Sequence, residues 1–268
     1  MEFLQPDWPV PGNVRALFTT RSGGVSENPY ASLNFGAHVG DAPTAVATNR
    51  RMLQQVLGAR LIFLNQVHGT AVTQIGAHAI PDSSTADGCW TAVRGAACTI
   101  MVADCLPVLF CTADGSCVGA AHAGWRGLCD GILEATVAAI RRGCMQFGSS
   151  EMSPHFRLMA WLGPAIGPDA FEVGEEVRDA YLSKAQNRLD CALTDALFIR
   201  QSTGKYLADL PGLARLRLAR AGVEEVYGND GTEVWCTFRQ EDRFFSHRRD
   251  AARIGGSGRM AACIWREG

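Results

Sequence analysis

Three apolar runs at the centre of the chain constrain the fold most. Residues 97–103, 108–111 and 117–121 are almost free of polar side chains, and each reads as a short strand. The last two are separated by Thr112-Ala113-Asp114-Gly115-Ser116, and Asp-Gly inside a short link is a hairpin signal. Cys105 lies between the first two runs and His122 just beyond the third. A hairpin of this kind brings both side chains to one end of a sheet.

Around this centre the pattern predicts a strand at 14–18, then a glycine-bearing loop, Thr20-Arg21-Ser22-Gly23-Gly24-Val25-Ser26. A helix follows over 44–57, with Val46, Leu53, Val56 and Leu57 on one face and Gly58 as the stop. A second helix is expected over 128–142, with an apolar face of Leu128, Ile132, Leu133, Val137 and Ile140 and with Gly143 ending it. A strand at 158–162 precedes helices at 172–182 and 209–221. The latter has Asp209 as N-cap, Pro211 in its first turn and Gly222 after its end. Strands at 225–227 and 261–265 complete the pattern. Strands and helices mix without the strict alternation of a doubly wound fold. That favours the α+β class, with sheet layers packed together and helices outside.

The 268 residues are compatible with one large domain over 1–268, and an apolar fraction of 47% supplies a sizeable core. A formal net charge of −2 gives no pull toward nucleic acid or a membrane. No apolar run reaches spanning length, and the N-terminus lacks a basic stretch followed by an apolar one. The ten cysteines form no C-x-x-C pair. In such a chain they read as reduced, mostly buried thiols of a cytoplasmic protein.

His68, Cys105 and His122 offer two imidazoles and a thiolate, a set that holds a zinc ion with its fourth position open to water or substrate. Their separations of 37 and 17 residues match no local zinc-finger spacing. Taken singly, Cys105 reads as a core thiol, His122 as a hairpin residue and His68 as part of a surface loop.

The surrounding segments change that weighting. Asn65-Gln66-Val67-His68-Gly69, Ala103-Asp104-Cys105-Leu106-Pro107-Val108 and His122-Ala123-Gly124-Trp125-Arg126-Gly127 resemble the signature of the YfiH-type family, also called the laccase-domain or multicopper polyphenol oxidase family. The N-terminal loop, Leu33-Asn34-Phe35-Gly36, His38-Val39-Gly40-Asp41 and Asn49-Arg50 match its early part. Residues 162–167, 171–174, Asp209-Leu210, Cys236-Thr237 and 245–250 match its later part. The chain departs from the common pattern at Cys89-Trp90, at His247, where an aromatic is more usual, and in extra glycines before Gly258-Arg259.

The resemblance implies an α/β/β/α sandwich, similar to the catalytic domain of cytotoxic necrotizing factor. It also implies zinc-dependent purine nucleoside chemistry: phosphorolysis of adenosine, inosine, guanosine and methylthioadenosine, and adenosine deamination, with nucleoside and phosphate as small-molecule partners. Three alternatives stand beside it. One is a Cys/His hydrolase or peptidoglycan-editing factor with Cys105 as nucleophile and His122 as base. The others are a copper-dependent polyphenol oxidase and a non-catalytic binding module.

Phosphate asks for a guanidinium fork. Arg50 is the first candidate, and Arg248 or Arg249 the second; their plainer reading is solvated surface charge. Asn34 and Gln66 are amides suited to a base edge or ribose hydroxyl, or to a turn hydrogen bond. Asp104 and Glu172 are the carboxylates available for acid/base work, Asp104 alternatively supporting Cys105 from behind. Trp125 reads as a stacking platform or as core.

Overall fold

In a computed structural model, residues 1–76, 84–146 and 157–268 are described. The chain begins with β1 (Phe3–Leu4), β2 (Val14–Thr19), α1 (Pro43–Leu57), β3 (Arg60–Phe63), β4 (Val72–Gln74) and β5 (Gly88–Thr91). It continues with β6 (Ala96–Val102), β7 (Leu106–Thr112), β8 (Val118–Ala123), α2 (Trp125–Asp130), α3 (Ile132–Gln146) and β9 (Leu158–Leu162). Then come β10 (Glu172–Val173), α4 (Glu175–Ser183), α5 (Arg188–Asp195), β11 (Phe198–Arg200), β12 (Tyr206–Ala208) and α6 (Leu210–Arg220). The last elements are β13 (Glu225–Gly228), α7 (His247–Ile254) and β14 (Met260–Arg266).

The strands form a five-stranded sheet, β1-β2-β14-β6-β3, a six-stranded sheet, β13-β9-β7-β8-β5-β4, and a small sheet, β10-β12-β11. The period-2 alternation of a strand sorts its side chains between two cores. In β6, Cys98, Ile100 and Val102 face the six-stranded sheet, while Ala97 and Met101 face α1. In β7, Leu109 and Cys111 face the five-stranded sheet, while Leu106, Val108 and Phe110 face α3 and α6. The result is an α/β/β/α sandwich of the α+β class. Both faces of the central strands are covered, so they read as continuous apolar runs rather than as alternating ones. Phe18, Trp161, Phe244 and Phe245 are fully buried in the inter-sheet layer, and each such side chain contributes about 1.5–3 kcal/mol of burial. No helix among the described residues is long and apolar enough to cross a membrane.

Several sequence expectations need adjusting. The helix expected over 128–142 is two helices, parted at Gly131, whose φ is +105°. Gly143 does not end α3. It sits inside the helix because the Trp90 indole lies against it, where a Cβ would come within 1.9 Å of a ring carbon. Val56 is 51% exposed, so the buried face of α1 is Val46, Asn49, Leu53 and Leu57. Glu172 is not in a helix: it lies in β10, and α4 starts only after Gly174. Asp209 caps α6 as expected, its Oδ1 accepting from the Gly212 N–H at 2.8 Å. All ten cysteines are free, and eight are buried.

Candidate metal centre and its pocket

The centre forms where the chain crosses from one sheet to the other. β6 ends at Val102 in the five-stranded sheet, and β7 starts at Leu106 in the six-stranded one. The link turns at Asp104, whose φ of +82° lies in the left-handed region that aspartate tolerates better than most residues. Its carboxylate fixes the turn: Oδ1 accepts from the Thr237 hydroxyl and Oδ2 from the Arg248 backbone N–H, both at 2.7 Å. Cys105 follows. His122 stands near the end of β8, opposite Pro107. His68 comes from the loop after β3, also with a positive φ, +61°.

One ligand atom from each of His68, Cys105 and His122 lies within 4.8 Å of the others. The His68 Nε2 is 3.6 Å from the Cys105 Sγ, and the two imidazole centroids are 4.7 Å apart. Gly124 makes this convergence possible, because a Cβ there would stand 2.6 Å from the His68 ring and 3.0 Å from the Cys105 Sγ.

Asp87 binds the cluster from behind. It is fully buried and accepts from the backbone N–H groups of Val67, His68 and Gly69 at 3.1, 2.9 and 2.8 Å and from His122 Nδ1 at 2.8 Å. Its own carbonyl accepts from the His122 N–H at 2.7 Å. One carboxylate thus orients two of the three side chains. A carboxylate on Nδ1 also fixes the proton there and leaves His122 Nε2 for the site. Burial pushes the Asp87 carboxyl up, but the hydrogen bonds from His122 and the backbone hold it below the usual value.

Burial also pushes the Cys105 thiol up, yet His122 and His68 bring it down to about 6. Burial pushes His122 down, while Cys105 and Asp87 raise it to about 9. Near neutral pH the pair is therefore thiolate and imidazolium when no metal is bound. Two imidazoles and a low-pKa thiolate, oriented from behind and open in front, fit a soft divalent cation with a vacant position.

The cluster opens into a cavity of about 310 Å³. Gln66, His38, Arg126, His247 and Arg259 line it with the three ligand candidates and with residues Met101, Val102 and Ala103. Among the described residues, no carboxylate lines it.

The other residues singled out in the sequence sit as follows. Gln66 lines the pocket, but its amide is paired with the backbone of Met101, donating and accepting at 2.8 Å. Asn34 is fully buried and points elsewhere: it donates to Asp41 at 2.8 Å and to the Gly36 carbonyl, and accepts from Gly36 and Arg259 N–H groups. Arg50 donates twice to the Phe35 carbonyl, at 3.0 and 2.8 Å, and lies 3.9 Å above the Phe63 ring. Arg249 is occupied by both Asp250 oxygens and three carbonyls. Arg248 donates to the Glu172 carbonyl, and the Glu172 carboxylate is paired with Lys205. Neither Asp104, Glu172 nor any of these three arginines lines the pocket. Trp125 is partly buried, with Arg126 over its ring at 4.3 Å.

Sequence reasoning missed Asp87, His38, Arg126 and Arg259 as site residues, and took His247 only as a departure. The available signal was adjacency to segments already singled out: Asp87 stands two residues before the Cys89-Trp90 departure, and Arg126 in the His122 segment itself.

Sheet order and pocket together define a sandwich protein with a His/Cys/His centre at the seam of its two sheets. Residues 15–267 match the family model described as multi-copper polyphenol oxidoreductase laccase, and the chain belongs to that family, the YfiH-type family. It is 46% identical to a Pseudomonas aeruginosa protein named purine nucleoside phosphorylase, over 98% of both chains. It is also 46% identical to the Escherichia coli purine nucleoside phosphorylase YfiH, again over 98% of both. A Neisseria meningitidis crystal structure superposes with a TM-score of 0.86 at 47% identity, covering 100% of both chains. YlmD of Geobacillus stearothermophilus superposes at 0.83 with 32% identity, covering 100% of this chain and 97% of that one.

Proposed function

We propose that this chain is a zinc-dependent purine nucleoside enzyme whose first reaction is phosphorolysis, with adenosine, inosine, guanosine and methylthioadenosine as substrates and adenosine deamination as a second activity. The observation that carries the reading is the convergence of His68, Cys105 and His122 at a pocket whose described lining holds no carboxylate. Relatives similar over nearly the whole chain bear the phosphorylase name.

His68, Cys105 and His122 would hold the metal, which supplies Lewis acidity toward an oxygen in its open position. Asp87 keeps the His122 proton on Nδ1 and the Nε2 lone pair toward the cavity. The basic wall of the cavity favours an anionic co-substrate over a neutral one. In phosphorolysis a phosphate oxygen bonds to the anomeric carbon, the glycosidic C–N bond breaks, and the purine leaves with that electron pair. Deamination ranks second because it calls for a proton carrier beside the attacking water. Asp104 and Glu172 are held elsewhere, which leaves imidazoles for that task.

Product analysis of metal-replete protein with adenosine, with and without phosphate, tests the reading. Adenine that appears only with phosphate marks phosphorolysis, and inosine marks deamination. Neither product, at any metal loading, would overturn it.

A second reading, a thiol hydrolase of the kind a peptidoglycan editor would need, is favoured by the line Cys105, His122, Asp87. It requires turnover without metal. It also requires alkylation of metal-free protein to follow a thiolate that forms as pH rises through about 6. Zinc protection against iodoacetamide, together with no metal-free turnover, would leave the first reading standing.

A further inference from the structure

We propose that Arg259 is the anchor of an oxyanion subsite in this pocket and binds inorganic phosphate beside the His/Cys/His cluster, with Arg126 as a second, more exposed donor. Phosphate as the physiological anion rests on the phosphorolysis reading; the subsite itself rests on how Arg259 is seated.

The seat is built from both ends of the chain. Arg259 directly precedes β14 and lines the cavity. Its backbone N–H donates to the Asn34 Oδ1 at 2.9 Å. Gly36 lies against its stem: a Cβ there would stand 2.8 Å from the Arg259 Cγ and 3.3 Å from its Cβ. Gly258 packs on the Phe245 ring, where a Cβ would come within 2.6 Å. Asn34, read in the sequence as suited to a base edge or ribose hydroxyl or to a turn hydrogen bond, thus serves to place an arginine 225 positions away.

The guanidinium is fixed and charged without being spent. Nη1 donates to the Ser257 and Gly258 carbonyls at 2.8 and 3.1 Å, which sets the plane of the fork. Among the described residues no carboxylate forms an ion pair with it, and none lines the cavity. Burial disfavours its charge, while Cys105, Asp104 and Tyr30 favour it without bonding to it directly. A half-buried cation without a directly bonded anion is costly until one arrives. A fixed fork with unused N–H groups matches two oxygens of a phosphate. Arg126 lines the same cavity, with its guanidinium over the Trp125 ring. By contrast, Arg249 is neutralised by Asp250.

The test uses full-length zinc-loaded protein and inorganic phosphate as the probe. Phosphate affinity by calorimetry, the KM for phosphate and for inosine, and bound zinc are measured for the parent, Arg259→Lys, Arg259→Gln and Gly36→Ala. Arg259→Lys is expected to weaken phosphate ~10-fold and Arg259→Gln ~100-fold, with the inosine KM and zinc content unchanged. Gly36→Ala, which touches no substrate, is expected to weaken phosphate by pushing the Arg259 stem aside. Parental phosphate affinity in Arg259→Gln overturns the proposal. So does loss of zinc with phosphate affinity intact on reloading, which would make Arg259 a partner of the thiolate. Arginine-dependent phosphate binding in a protein that phosphorolyses no nucleoside would keep the subsite and sink the functional reading instead.

Discussion

Two polar clusters in this molecule came from equally well-matched sequence segments, and they are built on opposite principles. Around Asn34 and Asn49 every amide is spent on the chain itself. The Asn49 Oδ1 accepts from Val25, its Nδ2 donates to Ser26 and to the Asn34 carbonyl, and the Asn34 side chain serves Gly36, Asp41 and Arg259. Around His68, Cys105 and His122 the hydrogen bonds come from one side only. Asp87 and backbone N–H groups grip the cluster from behind, and its front opens into the cavity. Saturation marks architecture; a group anchored at one end and open at the other marks chemistry. A motif match alone does not tell the two apart.

The sharpest way to break this contrast is Cys105→Ala. The side chain is only partly buried, so the fold should persist. Metal binding should fall, and nucleoside turnover should drop ~10³-fold or more, since a metal contributes several kcal/mol to such a step. Product formation beside zinc analysis checks this. Full zinc occupancy with lost activity would move the chemistry to the sulfur. Parental activity in zinc-free Cys105→Ala would remove the cluster from the reaction altogether.

The pairing of Cys105 with His122 was legible because its logic is short-range: an apolar run, a turn and an Asp-Gly hairpin carry both to the same sheet end, whereas His68 joined them only through the family resemblance. The inner strands were legible for the same reason, being continuous apolar runs, and α1 and α6 carried their own stop and cap signals. Asp87 was not legible. Its role depends on three N–H groups of a loop 18–20 positions earlier, turned inward by the positive φ of His68. Arg259 was hidden likewise, since its seat is made by Asn34 and Gly36 at the far end of the chain. Gly143 looked like a helix stop because local rules cannot see the Trp90 indole that requires it.

Asp87→Asn tests the grip on the cluster's back. The amide keeps the shape but presents N–H where the site needs an acceptor, so the His122 Nδ1–H loses its carboxylate. Losing such a partner typically costs ~10–100-fold in metal affinity. Competition with a chelator should show that loss, and cobalt-substituted protein should show a weakened thiolate-to-metal absorption band. Unchanged affinity would mean that the backbone alone orients the imidazoles.

Asn49→Ala tests the saturated cluster. It strands the Val25 N–H and removes two donors from a site that is fully buried. Unsatisfied buried groups cost about 1–3 kcal/mol each, so a loss of about 2–3 kcal/mol and a fall of ~4–10 °C in Tm are expected. Zinc affinity in the folded protein should not change. A large loss of zinc with little loss of stability would show that the two clusters are one working unit.

Arg50→Lys should do least, and it decides on which side of the contrast this residue falls. From sequence, Asn49-Arg50 on a rigid helix was the first choice for the phosphate end of the substrate. The geometry argues otherwise. Both donating nitrogens converge on one carbonyl, that of Phe35, and the plane of the guanidinium rests on Phe63. A guanidinium held on both edge and face has no fork left to offer, whereas Arg259 bonds carbonyls through Nη1 alone. Lysine keeps the charge and one bond to Phe35 but loses the second bond and the flat stacking surface, a loss of about 1 kcal/mol. A small fall in Tm with the phosphate KM within about twofold of the parent is the expected result, a twofold change being well under 1 kcal/mol. A rise in phosphate KM matching that of Arg259→Lys would put Arg50 back among the residues that hold the anion. The rule that saturation marks architecture would then fail at a residue whose fork is spent on the chain itself.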